Sequence, residues 1–196
     1  MDSVIIIATA NRGKFGEIRQ CLAGRFSEFF SLSDLKGHVE VVEDRPTYVE
    51  NAWKKARKIG DRFGMATLAD DSGLEVAALD GRPGVFSARY GANDDERVER
   101  LLGELRGVPM EGRSAHFKAY LVYYLPDGGQ TFIFYGSLRG YIGFERRGKA
   151  GFGFDPVFML PESGRALAEL TLEEKNSISH RGRALAAFKK FLAASA

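Results

Sequence analysis

Two adjacent aspartates in Ala69-Asp70-Asp71-Ser72-Gly73-Leu74 are the residues best suited to chemistry in this sequence. Strand side chains alternate between two faces, so Asp70 and Asp71 should point in opposite directions and do different work. A carboxylate at the end of a short apolar run can act as a metal ligand or a general base. A polar turn closed by an Asx-type hydrogen bond is the alternative.

The segment Thr9-Ala10-Asn11-Arg12-Gly13-Lys14 follows an apolar run and leads into a helical pattern. A helix N-terminus offers free N–H groups and a partial positive charge, and Lys14 adds a full charge. It is not a Walker A loop, because Ala8 stands in place of the first glycine and Phe15 in place of the hydroxyl residue. We interpret residues 9–14 as a candidate phosphate site, with an ordinary strand-to-helix turn as the alternative.

A third carboxylate, Glu43, follows another predicted strand and joins Asp70 and Asp71 as a candidate acidic set. If the two strands are neighbours, their ends meet at one edge of the sheet, where α/β folds bind ligands. Carboxylates without His or Cys suit a hard cation, and Mg²⁺ beside phosphates is the usual case. For each carboxylate taken singly, surface solvation is the alternative.

The last candidate group is Gly151-Phe152-Gly153-Phe154-Asp155-Pro156 with Lys175 and Ser179-His180-Arg181. The glycines would free the Phe152 ring to stack on a flat ligand, and Asp155 could hold that ligand's edge. Lys175 and Arg181 offer donors for oxygen acceptors. The alternatives are core packing for the phenylalanines and a surface or helix-cap position for His180.

Hydrophobic periodicity gives the elements that must position these residues. The order of strands and helices predicts an α/β fold with a long mixed β-sheet and flanking helices in two lobes. Strands are predicted over residues 4–8, 39–42, 65–69, 115–125 and 130–135, with 138–144 as a candidate further strand. Helices are predicted over 14–22, from a Thr47–Glu50 capping box to Phe63 with Trp53 in the buried stripe, over 94–105 with Asp94 as cap, and over 182–193; Thr171–Glu174 is another capping box.

Composition limits the classes of function. The chain has 196 residues, enough for one sizeable domain or one domain with two lobes. Lys and Arg total 28 against 26 Asp and Glu, a net charge of +2, so neither nucleic acid nor an anionic membrane is expected as the main partner. The single cysteine, Cys21, excludes an intramolecular disulfide and a Cys-based zinc site. No segment approaches the ~20 apolar residues of a membrane span, so we expect a cytoplasmic protein.

Taken together, these groups resemble the inosine triphosphate pyrophosphatases, a family of noncanonical purine nucleoside triphosphate pyrophosphatases. The resemblance covers nearly the whole chain. It rests on Thr9-x-Asn11-x-x-Lys14, Glu43 before Thr47-x-x-Glu50-Asn51-Ala52, Ala69-Asp70-Asp71-Ser72-Gly73-Leu74, Pro83-Gly84-Val85-x-Ser87-Ala88-Arg89-Tyr90, Gly151-Phe152-Gly153-Phe154-Asp155-Pro156, and Lys175 with Ser179-His180-Arg181. The chain departs from the family pattern at Ala10, where glycine is usual, and at Phe154, where tyrosine is frequent.

The resemblance implies hydrolysis of ITP, dITP and XTP to the monophosphate and pyrophosphate with Mg²⁺, by a homodimer that removes deaminated purines from the nucleotide pool. It implies one domain over residues 1–196, with two lobes around a central cleft that holds the site. By motif matching, residues 9–14 bind the triphosphate, Glu43 and Asp71 hold the metal, Asp71 is also the proton acceptor, and Ser72 contacts the nucleotide. The residues implied to hold the base are Phe152, Gly153, Phe154, Asp155, Lys175, His180 and Arg181.

Three other functions are alternatives to this expectation. A house-cleaning pyrophosphatase for modified or ordinary pyrimidine triphosphates is the alternative enzyme, and the donors Lys175 and Arg181, which suit a 6-oxo purine, argue against it. A non-catalytic nucleotide sensor would lack the acidic set, which this chain has. A nucleic-acid-binding module is disfavoured by the near-neutral charge and the lack of a basic stripe.

Overall fold

The computed structural model describes residues 4–37 and 41–195 of the chain. Its six-stranded sheet has the order β2-β1-β3-β4-β5-β6 and is mixed, because β1 pairs in parallel with β2 and β3 whereas β6 runs antiparallel to β5. The predicted α/β class, a mixed sheet with flanking helices, is confirmed. The strands are β1 (Val4–Ile7), β2 (Glu28–Ser31), β3 (Thr67–Val76), β4 (Ser114–Leu125), β5 (Gln130–Ile142) and β6 (Phe158–Met159), and the helices are α1 (Arg12–Cys21), α2 (Tyr48–Phe63), α3 (Asp94–Glu104), α4 (Leu172–Ile178) and α5 (His180–Ala194).

The chain forms two compact units, each with its own core. Unit 1 consists of the described residues within Met1–Asp71, Ala119–Gly136 and Arg181–Ala196, and unit 2 consists of Ser72–Lys118 and Ser137–His180. In unit 1, strand β1 is buried on both faces, as its continuous apolar run predicts. Ile5 packs in a cluster with Phe188 of α5, and Ile6 packs in another with Ala52 of α2.

Two strands differ from the sequence prediction. The edge strand β2 is paired with β1 but was not predicted, because Glu28-Phe29-Phe30-Ser31 is short and only partly buried. The predicted strand over 39–42 is wrong for residues 41 and 42, which are not in a strand, and residues 39 and 40 lie outside the described residues. Within the described residues, Glu43 therefore does not directly follow a strand.

Two other strands are longer than predicted. Strand β3 continues through Asp70 and Asp71 to Val76, so the aspartates lie inside the strand and not at its end. Strand β5 runs without a break from Gln130 to Ile142, and the candidate strand over 138–144 is largely its second half. Polar and glycine residues in both segments lower the apolar signal without interrupting backbone pairing.

The predicted helices are present, with two corrections. Asn93, and not Asp94, caps α3, because its side-chain oxygen accepts the Glu96 N–H at 2.9 Å and Asp94 becomes the first helical residue. Trp53 is 41% exposed and does not belong to the buried stripe of α2, which contains the small residues Ala52 and Ala56. The Arg57 guanidinium lies over the Trp53 ring. Among the described residues, no helix has both the length and the apolar character needed to cross a membrane.

Candidate active site

Residues 9–14 lie where β1 leads into α1, as predicted, but the helix begins at Arg12 and not at Lys14, so only Thr9, Ala10 and Asn11 precede it. The Thr9 hydroxyl accepts the Asn11 N–H at 3.1 Å, and Asn11 caps α1 by accepting the Lys14 N–H at 3.0 Å. Ala10 does not have a positive φ, because Asp80 is the only non-glycine residue with one in the described part of the chain. Alanine therefore fits here in place of the family's usual glycine without backbone strain.

The two aspartates of β3 have different surroundings, as the alternation of strand side chains predicts. Asp70 is fully buried and receives the Lys14 ammonium at 2.6 Å and the Arg181 Nε at 3.0 Å. Burial alone would raise the pKa of Asp70, but the charges of Arg181 and Lys14 hold that pKa far below its usual range. Asp70 is therefore an ionised anchor for two cations and is unsuited to act as a base.

Arg181 lies in unit 1 and is also fully buried. Its Nε contacts Asp70, and its Nη1 forms an ion pair with Glu17 of α1. Through these contacts Arg181 of α5 links α1 to β3. Its predicted contact with a base stays a prediction. Glu17 is absent from the sequence prediction, although a glutamate beside Ile18 on the buried face of α1 is a signal that a charged partner is needed.

The pKa of Asp71 is shifted in the opposite direction from that of Asp70. Burial is the main cause that raises the pKa of Asp71 to about 6, and the Glu43 and Asp70 charges add to it against the attraction of Lys14. Glu43 forms an ion pair with Lys55 of α2, which holds the pKa of Glu43 below its usual value despite burial. Lys55 was not predicted, although a lysine beside Ala56 in the buried stripe of a helix could have indicated it.

Glu43 and Asp71 interact electrostatically and are the carboxylates that could hold Mg²⁺ here. In residues 4–37 and 41–195, no group of three or more His, Cys, Asp or Glu side chains is arranged to hold a metal ion. Mg²⁺ usually needs only one or two carboxylates, because substrate phosphates and waters complete its shell. Two interacting carboxylate oxygens, one with a raised pKa, are hard donors that a cation would stabilise.

Unit 2 contains the group built around Phe152. The Asp155 carboxylate accepts the Phe152 N–H at 2.8 Å and forms a buried ion pair with Lys175, whose ammonium lies 4.6 Å from the Phe152 ring centroid. Lys175 is presented by α4, which the predicted Thr171–Glu174 capping box begins. Gly151 has φ +78°, and a Cβ there would lie 2.1 Å from Asp155 Oδ2. Only glycine allows the turn to close on this carboxylate.

Three other predicted site residues in unit 2 have distinct positions. The Phe154 ring is buried and meets Tyr90 edge-on at 6.2 Å, which favours the core-packing alternative. His180 is buried with its ring stacked on Phe117 at 4.7 Å, so it is not a surface histidine. Ser72 is partly buried at the beginning of unit 2.

The chain is similar to known proteins in both sequence and structure. A dITP/XTP pyrophosphatase of Geobacter sulfurreducens is 47% identical over 96% of both chains. A HAM1 protein structure from Coxiella burnetii has a TM-score of 0.85 at 38% identity, covering 97% of this chain and 98% of that one. The Staphylococcus aureus Ham1 structure has a TM-score of 0.87 at 34% identity, covering 99% and 100%. Because the profile of the Ham1 family also matches residues 5–191, the chain belongs to the Ham1 family.

Proposed function

We propose that this protein hydrolyses noncanonical purine nucleoside triphosphates, namely ITP, dITP and XTP, to the nucleoside monophosphate and pyrophosphate. The observation that carries the proposal is the division between Asp70, which is neutralised by Lys14 and Arg181, and Asp71, whose pKa is raised beside Glu43. The Geobacter sulfurreducens relative, which is named for dITP and XTP, supports the choice of substrate.

The chain's own residues supply most of what the reaction needs. The N-terminus of α1 and Lys14 would bind triphosphate oxygens, because both present positive charge at the turn after β1. Asp71 would accept the proton from the water that attacks the α-phosphorus, and a carboxylate with a raised pKa is a stronger base than an ordinary one. The new P–O bond forms as the bond to pyrophosphate breaks, and Lys14 would stabilise the negative charge that develops on the leaving group.

Magnesium is part of the proposal. Glu43 and Asp71 would hold it, and the ion would supply neutralisation of phosphate charge in the transition state. Lys55 would then act as the counter-charge that keeps Glu43 ionised and oriented toward the site. This interpretation gives a function to the ion pair between the buried Lys55 and the partly buried Glu43.

The Phe152 group supports recognition of a 6-oxo purine. Aromatic rings stack on the faces of bases, and Phe152 is fixed at its backbone by Asp155. An ammonium has three donors, so Lys175 can serve Asp155 and a base oxygen at the same time. Hypoxanthine and xanthine have an oxygen at C6, whereas adenine has an amino group there and would meet a donor. A site that hydrogen-bonds a group can disfavour its absence by roughly 10⁴-fold.

The proposal is tested by pyrophosphate release from a panel of ITP, XTP, dITP, GTP, ATP, dTTP and UTP, each with and without Mg²⁺. We expect ITP and XTP to be turned over with much higher kcat/KM than ATP. Equal kcat/KM for ITP and ATP would contradict the role of the 6-oxo group. Preference for dTTP or UTP would instead support the pyrimidine alternative, which the dITP/XTP pyrophosphatase relatives do not favour.

Two further properties are proposed from the family resemblance alone. We propose that the active form is a homodimer, which light scattering of the purified chain would test against the mass of 21.6 kDa for one copy. A cytoplasmic location remains a prediction, and fractionation of cells that express the tagged chain would test it.

A further inference from the structure

The turn that carries Phe152 is held by two carboxylates from different elements. Asp155 Oδ2 accepts the N–H of Phe152 at 2.8 Å from within the turn. Asp94 Oδ2 accepts the next N–H, that of Gly153, at 2.7 Å, although Asp94 lies 59 residues earlier in the chain. Two successive backbone N–H groups are therefore each bound to a carboxylate, and Asp94 lies outside the sequence motif that contains Phe152 and Asp155.

Asp94 is itself fixed at the start of α3. Asn93 caps the helix, which makes Asp94 its first residue, and Arg97 one turn later forms an ion pair with Asp94 Oδ1. An acidic residue at a helix N-terminus has an ordinary electrostatic role there. That role does not require the bond to Gly153, which is short and charge-assisted and so among the stronger kinds of hydrogen bond.

The turn needs a second attachment because two of its residues are permissive glycines. Gly151 and Gly153 have φ values of +78° and +61°, on either side of Phe152. Glycine loses more conformational freedom on ordering than any other residue, so a turn of this kind depends on the bonds that hold it. Within the turn, the Asp155 N–H donates to the Phe152 carbonyl at 3.2 Å, and Asp94 adds a bond to the Gly153 N–H from a separate element.

We propose that Asp94 is a positioning residue that fixes the Phe152 ring for stacking on the substrate base. This inference rests on the proposed function, because it assigns the base to the Phe152 ring. Since stacking acts on the bound substrate and on the transition state alike, loss of Asp94 raises KM and leaves kcat nearly unchanged. The triphosphate contacts belong to other residues, so a ligand without a base does not depend on Asp94.

The test compares Asp94→Ala, which removes the acceptor, with Asp94→Asn, which keeps an oxygen and loses the charge. We expect Asp94→Ala to raise KM for ITP about tenfold, with kcat within about twofold of the wild type, because part of a stacking contact is lost. Asp94→Asn should restore KM to within about threefold, since the amide oxygen can still accept the Gly153 N–H. The inhibition constant of inorganic triphosphate should be the same in all variants.

A matched control is Arg97→Ala, which removes the ion-pair partner of Asp94 but keeps the bond to Gly153, and it should leave KM unchanged. An unchanged KM in Asp94→Ala overturns the inference. So does equal impairment of the alanine and asparagine variants, which would assign the effect to helix charge, or a parallel loss of affinity for inorganic triphosphate. Failure of the wild-type chain to hydrolyse ITP would overturn the proposed function itself, and this inference with it.

Discussion

Replacement of Arg181 by methionine tests the interpretation that this arginine holds the site together. Its guanidinium is 1% exposed and contacts Asp70 and Glu17, which are 1% and 2% exposed. Methionine fills much of the same volume but leaves both carboxylates without the arginine. Lys14 still neutralises Asp70, so the main loss falls on Glu17. Removal of one partner from a buried ion pair typically costs about 3–5 kcal/mol, a large part of the usual stability of a domain.

The free energy of unfolding would be measured by urea titration with circular dichroism, and Arg183→Met is the control. Arg183 is exposed on the same helix, so its replacement should change stability by less than about 0.5 kcal/mol. Adding Glu17→Gln to Arg181→Met should recover about 1–2 kcal/mol, because the buried negative charge is then gone. A loss below about 1 kcal/mol in Arg181→Met, or a double variant no more stable than the single one, would refute the reasoning.

Four further results are expected. Asp71→Asn should lower kcat at least about 100-fold while nucleotide affinity changes little, and because burial raises the pKa of Asp71 to about 6, the melting temperature of the metal-free variant should not fall. Asp70→Asn should lower kcat less than Asp71→Asn but lower the melting temperature, because Lys14 and Arg181 lose their shared carboxylate. Gly151→Ala should raise KM for ITP, since its Cβ would lie 2.1 Å from Asp155 Oδ2, whereas Gly103→Ala, with open space around its Cβ, should not. Chelation by EDTA should abolish pyrophosphate release and added Mg²⁺ should restore it; activity that persists in EDTA would contradict the metal proposal.

The separation of the two aspartates could be predicted from the sequence because it depends only on local geometry. A strand has a period of two wherever it lies, so Asp70 and Asp71 had to face opposite sides. The apolar pattern predicts an end of β3 at residue 69, which is too early, because the two carboxylates lower the apolar signal. Strand β3 continues through them since Lys14 and Arg181 neutralise Asp70 inside the protein. A local sequence pattern does not show which charged residues the fold brings together.

The partners of Arg181 also cannot be predicted from a local sequence pattern. Asp70 and Glu17 lie 111 and 164 residues from it in the chain. The family motif predicts that Arg181 is a site residue, but it does not indicate which atoms the guanidinium contacts. The base contact of Arg181 is predicted because arginine suits oxygen acceptors, and it stays a prediction. The structure shows two carboxylates in contact with the buried guanidinium.

Asp70 and Asp71 are neighbours in β3, but their charges are stabilised to different degrees. Asp70 holds the Lys14 ammonium in place, so in the proposed reaction Lys14 would need little reorganisation when charge develops on the leaving group. Asp71, one residue later, is ionised less readily because of burial and the charge of Glu43. Its carboxylate therefore gains more from a proton or a cation than an ordinary surface aspartate does. In the proposed mechanism the stabilised carboxylate, Asp70, would position Lys14 and the destabilised one, Asp71, would do the chemistry. Asp71→Asn tests this trade between stability and activity.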